Sequence, residues 1–277
     1  MGFRIATNVS SINAQKSLSR ISAKESNTSA QLASGTRITR SSDDAAGLAI
    51  SEKLRANIKS SEQANRNAND GISMIQVAEG GLTESANILI RLRELAIQSA
   101  SDTIGDNERG YTNLEYQQLK SELQRISQTT KYNGVSLLDG SGDKLDFQIG
   151  AGNDQFEDRI TYEPGAINAG IDALGMGSES VLQKGDAQTS LEKVDEAIKT
   201  VSGQRAILGA LQNRLLTTSA NLETSVENMS AANSRIRDVD YAAATAEKTQ
   251  QSIMKQAGIS VLAQANQSPQ NALRLLS

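Results

Sequence analysis

Leu54, Ile58, Ser61, Asn65, Ala68, Ile72, Ile75, Glu79, Leu82, Ala86, Leu89, Arg93 and Ala96 follow one another at alternating spacings of four and three. Nine of these thirteen are apolar, the pattern of one seam on a continuous helix turned toward partners. The spacing predicts a helix from about residue 44 to 104, opened by Ser41-Ser42-Asp43-Asp44 as caps and first-turn acids. At 1.5 Å per residue it would run roughly 90 Å, a length that means coiled coil or bundle. The signal returns from Leu191 through Val194, Ile198, Val201, Leu208, Leu215, Leu222, Val226 and Met229 to Ile236. A third, shorter helix is expected after Gly105-Asp106-Asn107, with Tyr116, Leu119, Leu123 and Ile126 on one face.

Between the helical halves the period drops to two. Leu145, Phe147 and Ile149 alternate with polar residues, as do Phe156, Ile160 and Tyr162, which predicts a β-hairpin across Gly150-Ala151-Gly152-Asn153-Asp154. Pro164-Gly165 closes its second strand, and the Gly- and Ser-rich residues 165–187 read as a short connection of undefined structure. The predicted fold is mainly α: an elongated antiparallel helical bundle or coiled coil with a small β-hairpin region. It places a rod domain at 44–238, with the hairpin near 145–162, and paired terminal helices at 1–43 and 239–277.

Those terminal segments carry weaker stripes: Ile5, Val9, Ile12, Leu18 and Ile21 at one end, Met254, Val261, Leu273, Leu275 and Leu276 at the other. Alone, neither buries enough to offset a backbone ordering cost of about 1–2 kcal/mol per residue. Paired with each other and with neighbouring copies, they do. These ten residues are therefore the candidates for a polymerisation surface.

Composition narrows the chemistry. The chain has no His and no Cys, which excludes Ser-His-Asp and Cys-His nucleophiles, imidazole or thiolate zinc sites and disulfides. Asp43-Asp44 and Asp238/Asp240 share no helical face and so make no acid–base pair. Gly150–Asp154 resembles one calcium-binding nonapeptide unit, but it occurs once, and such sites need repeats. The expectation is a protein that is not an enzyme, with no catalytic, cofactor or metal site. A net charge of −4 and a pI of about 5.1 argue against nucleic acid, and no apolar run is long enough to span a membrane. Residues 1–42 hold six Lys/Arg against one Glu, without the apolar block of a cleaved signal peptide.

Five motifs in order resemble bacterial flagellins: Ser34-Gly35-Thr36-Arg37-Ile38 with Asp43-Asp44-Ala45-Ala46-Gly47-Leu48-Ala49-Ile50-Ser51; Leu92 through Ser99; Tyr132-Asn133-Gly134-Val135 to Leu137-Leu138; Ser234 through Ala242; and Asn266 through Leu276. The resemblance implies a secreted, extracellular subunit, exported without a cleaved signal peptide, that self-assembles into the flagellar filament used for motility. It implies that the terminal segments form an inner tube, the long helices a wall around it, and 165–187 a remnant of a variable outer region. Implied partners are other copies of the chain, a flagellar export chaperone, filament cap and junction proteins, and the host flagellin-sensing Toll-like receptor. By position, Arg91, Leu95 and Glu115 match the receptor-facing surface, while Ile90 stands where many recognised flagellins have Gln. Ser178, Ser180, Thr189 and Ser190 are the candidates for glycosylation. Two other readings stay open, a hook–filament junction protein and a secreted coiled-coil effector or needle-tip protein; the match through 89–99 and 132–138 favours filament flagellin.

Overall fold

A computed structural model describes residues 7–274. In chain order these form α1 (Val9–Ser34), α2 (Ala45–Ser99), α3 (Asp106–Thr129), β1 (Lys131–Tyr132), β2 (Val135–Ser136), β3 (Leu145–Gln148), β4 (Arg159–Tyr162), α4 (Lys184–Arg237) and α5 (Tyr241–Arg274). The chain is mainly α, as the heptads require. It divides into two compact units, one from 1–56 with 228–277 and one from 57–227.

The ends of the helices follow from local chemistry. Asn8 caps α1 by accepting from the Ser11 amide at 3.0 Å, and Gly35 ends it with a left-handed φ of 70°. Asp44 caps α2, its carboxylate accepting from the Gly47 amide at 2.8 Å. Asp43 instead belongs to the loop before it and accepts from Thr39 and Arg40. Those donors, the Arg40 amide foremost, hold its carboxyl below the usual range. α2 stops at Ser99 rather than near 104. There the Arg109 guanidinium, reaching back from α3, takes the Ser99 and Ser101 carbonyls at 2.9 Å each. A helix terminus leaves such carbonyls unpaired, and a cation is the favoured partner.

In the unit 57–227, α2 and α4 run antiparallel, tied by Arg93 to Asp195 at 2.7 Å and by Ser219 to Asn65 at 2.5 Å. Ile58, Ala68, Ile72, Ile75, Leu82, Leu89 and Ala96 of the first seam are buried, as are Val194, Val201, Leu208 and Leu215 of the second. Tyr116 and Leu123 bring α3 into the same core. β3 and β4 pair with Leu145 opposite Tyr162 and Phe147 opposite Ile160. Gly71 lets the Phe147 ring lie against α2, for a Cβ there would stand only 3.1 Å from it. Phe156 departs from the expected strand: it sits in the turn, 91% exposed. Asp158 shortens β4 at that end, its carboxylate accepting from the Gly152 and Asp154 amides instead of letting residues 154–158 pair. A second hairpin, β1–β2, turns on Asn133 (φ 49°) and Gly134 (φ 83°), and Asn-Gly is the residue pair such a turn favours.

The connection 165–187 is a packed strap. Ile167, Ala169, Leu174, Met176 and Val181 are buried in the core. Its backbone is held by a polar row on α3: Asn113 accepts from the Val181 amide, Gln117 and Lys120 donate to the Glu179 carbonyl, and Gln124 accepts from the Ile171 amide. Lys120 also donates to the Gly177 carbonyl at 3.1 Å. Burial lowers the Lys120 ammonium below its ordinary value, with the nearby Glu179 opposing.

Candidate assembly surface

The other unit, drawn from 1–56 and 228–277, is built on α1 and α5, which lie antiparallel. Asn8 donates to the Ala265 carbonyl at 2.8 Å, Lys255 pairs with Glu25 at 2.8 Å, and the Tyr241 hydroxyl donates to the Leu32 carbonyl at 2.9 Å. Where the chain enters and leaves this pair, Thr36 bridges Asp238, the Val239 amide donates to the Gly35 carbonyl, and Arg37 donates to the Ile236 carbonyl at 2.8 Å. Arg237 reaches Glu52 at 2.7 Å.

The pair is packed inside out. Its buried side chains among the described residues are small or polar: Ser11, Thr28, Ala244 and Gln251. Ser11 donates to Asn266 at 2.8 Å and Gln251 to Glu247 at 2.9 Å, while the Gln251 carbonyl oxygen has no partner. The large apolar residues face outward: Val9, Ile12, Ile253, Met254, Ile259 and Val261 are 40–62% exposed. Ile50, at the start of α2, is 53% exposed. Soluble monomers rarely arrange apolar groups this way, and such a surface marks an interaction site. Each such side chain contributes roughly 1.5–3 kcal/mol when fully buried, and at 40–62% exposure about half of that is left unrealised in an isolated chain.

Of the ten sequence candidates, Val9, Ile12, Met254 and Val261 lie on this outward face. Leu18 and Ile21 are half-buried, and Leu18 lies across Gly258 of the partner helix, so it holds the pair together instead. Ile5, Leu275, Leu276 and the side chain of Leu273 lie outside the described residues. Sequence reasoning missed Ile50, Ile253 and Ile259. The last two stand one and two residues from candidates it named, and residues so spaced share no helical face, so those candidates did not point to them.

The receptor candidates separate. Arg91 is exposed and pairs with Glu94 at 2.9 Å and Glu115 at 2.8 Å, hydrogen bonds that raise its pKa. Leu95 does not belong with them: it is 2% exposed, one of a second row of apolar positions on α2 that joins the core beside the heptad seam. Ile90 is half in solvent. Among the glycosylation candidates Ser178 and Thr189 are exposed and Ser180 half-buried. Ser190 is fully buried, its hydroxyl donating to the Ser180 carbonyl at 2.9 Å, and is closed to a transferase. Among the described residues no three His, Cys, Asp or Glu side chains gather as a metal site, and no helix is long and apolar enough to cross a membrane.

Comparison with known proteins bears on the arrangement as a whole. Residues 5–143 match the family described as the bacterial flagellin N-terminal helical region, and residues 191–276 the bacterial flagellin C-terminal helical region. The flagellin of Halalkalibacterium halodurans is 45% identical over 246 residues, 89% of each chain. The flagellar filament 33 kDa core protein of Treponema phagedenis is 41% identical over 97% of this chain and 98% of its own. Among solved structures, Bacillus cereus flagellin superposes with a TM-score of 0.51 at 31% identity, covering 61% of this chain and 94% of that one. Similarity that runs through both terminal regions and nearly the full length of such relatives leaves one assignment: this chain belongs to the bacterial flagellin family.

Proposed function

We propose that this flagellin, a structural subunit of the flagellar filament, polymerises through the outward apolar faces of α1 and α5. The observation that carries this reading is the inversion of that pair, with Ser11, Thr28 and Gln251 inside and Val9, Ile12, Ile253, Met254, Ile259 and Val261 outside. A seam of small and polar residues sets register at a cost in stability, and neighbouring copies supply the missing burial. The paired segments 1–43 and 239–277 form the inner tube, 44–238 the wall around it, and 165–187 is what remains of an outer region. The subunit is exported to the extracellular filament. An export chaperone, and the filament cap and junction proteins, meet the same apolar faces before and at the limits of assembly. A host receptor would read Arg91 and Glu115 without Leu95, and sugars would be carried at Ser178 or Thr189.

The test is elongation from filament seeds by the double variant Ile253→Asp/Val261→Asp. Both side chains are at least 60% exposed, so the monomer's thermal melt should stay within about 0.5 kcal/mol of the parent, as for surface substitutions generally. Elongation should be lost. A variant that folds and elongates like the parent refutes the assignment of these faces.

A further inference from the structure

Cysteine and methionine are the side chains whose sulfur takes up oxygen from peroxides. This chain has no Cys and five Met, so thioethers are its only sulfur. The fold then sorts the methionines. Met74 is 4% exposed and Met176 not at all, both enclosed in the core of the unit 57–227. Met229 is half-buried on α4, and Met1 lies outside the described residues. Met254 is 40% exposed. It stands at one end of a groove that runs along α5 from Tyr241 and is lined by Ala242, Thr245, Ala246 and Thr249.

Where that thioether sits matters as much as its exposure. Ile253 beside it is 62% exposed and Val261, further along α5, 60%, so the sulfur belongs to the apolar surface assigned above to polymerisation. The residues three and four positions on, which lie next to it on the helix, are Ala257 and Gly258, too small to cover it. An unbranched, polarizable methionine adapts to whatever packs against it. Oxidation ends that. The sulfur lone pair attacks one oxygen of hydrogen peroxide, the O–O bond breaks, and the other oxygen leaves as water after proton transfer; the thioether is oxidised to a sulfoxide and the peroxide reduced. The product is polar and chiral, and its oxygen is an acceptor that costs free energy to bury without a donor. In the free subunit that oxygen stays in water, so the fold tolerates it.

We infer that Met254 is a peroxide-sensitive modification site: its sulfoxide withholds the free subunit from assembly, and assembly in turn shields the sulfur. The inference rests on the filament reading above and adds a means of regulating it. The block is reversible, because methionine sulfoxide reductases return the thioether.

The test treats the free full-length chain with hydrogen peroxide, quenches it, locates the sulfoxides by peptide mass spectrometry and offers the product to parent seeds. Met254 should oxidise at least about tenfold faster than Met74 or Met176, as exposure dictates. The oxidised chain should melt like the parent yet need about a tenfold higher critical concentration to elongate. Treatment with methionine sulfoxide reductases should restore the parent value. Met254→Leu, which conserves volume, should elongate before and after peroxide alike. In preformed filaments Met254 should oxidise at least about tenfold more slowly than in the free chain. The inference is overturned if the chain oxidised at Met254 elongates at the untreated critical concentration, if reductase treatment restores nothing, or if filaments leave the sulfur as reactive as the free chain does. It is overturned too if peroxide blocks Met254→Leu as it blocks the parent. The reductase arm changes no residue, so it decides the question even where the leucine variant assembles poorly. Elongation of Ile253→Asp/Val261→Asp at the parent's rate would instead overturn the filament reading; a blocked double variant beside an unaffected oxidised parent overturns the role of Met254 alone.

Discussion

The corner between α2 and α3 rests on one side chain. Arg109 is 9% exposed; it donates to the Ser99 and Ser101 carbonyls and to Asp106, each at 2.9 Å. Arg109→Met keeps much of the apolar stem and removes the donors. The Ser99 carbonyl belongs to a residue with no solvent exposure, so water cannot readily replace the guanidinium. An orphaned buried acceptor costs about 1–3 kcal/mol, and the lost cation at a helix C-terminus about another 0.3–1 kcal/mol. The Ser101 carbonyl is half-exposed and rehydrates. Asp106, whose side chain is 94% exposed, contributes little, as exposed ion pairs do. The sum is about 1.3–4 kcal/mol for Arg109→Met, with Arg109→Lys intermediate, because an ammonium lacks the planar fork that reaches both carbonyls. Asp106→Asn should be nearly silent. Four of the five tyrosines, at 111, 116, 132 and 162, lie in the unit 57–227, and without Trp their fluorescence reports that unit's urea unfolding. If Arg109→Met unfolds within about 0.5 kcal/mol of the parent at unchanged m-value, those carbonyls are satisfied without Arg109 and the reasoning is wrong.

Two further outcomes are expected. Leu95→Ala should destabilise the monomer by about 2–5 kcal/mol as a cavity in the core, whereas Arg91→Ala, an exposed ion-pair partner, should change stability by less than about 1 kcal/mol; equal effects in paired thermal melts would contradict the division between them. Burial pushes the Tyr116 and Tyr162 hydroxyls up to about 12 from an ordinary value of 10. Because these folded-state values are raised, their contribution is complete below pH 10 and is lost as pH rises through 12. Melts from pH 9 to 12 should fall steeply in the parent and less steeply in Tyr116→Phe; parallel curves would show that Tyr116 titrates normally.

The long helices were legible in the sequence because a side chain's facing repeats every 3.6 residues whatever lies opposite. The seams from Ile58 to Ala96 and from Leu191 to Leu215 therefore appear in or against the core as their spacing requires. Leu54 and, beyond Leu215, Leu222, Val226, Met229 and Ile236 are only half-buried. The pairing of β3 with β4 followed in the same way from a period of two. Asn133-Gly134 carried its own hairpin signal in two residues, though only the backbone showed β1 and β2 to be strands. The family, too, was written in the motifs, since a motif is read without knowing where it sits.

Periodicity names a face but not what covers it, and tertiary structure decided that. Asn113, Gln117, Lys120, Gln124 and Ser127 are spaced by four and three like any seam, and as polar residues they look like a solvated side. In the folded chain they hold the strap and the Leu138 carbonyl. Gly- and Ser-rich composition made 165–187 look loose, yet its few large side chains, Ile167, Leu174 and Met176, suffice to bury it once those partners satisfy its backbone. Leu95 and Val261 are equally apolar in the sequence, but one is enclosed and the other bare. Burial depends on which distant segments converge, and a one-dimensional pattern carries no record of distance. For the same reason the bare faces of α1 and α5 became visible only when the chain was folded.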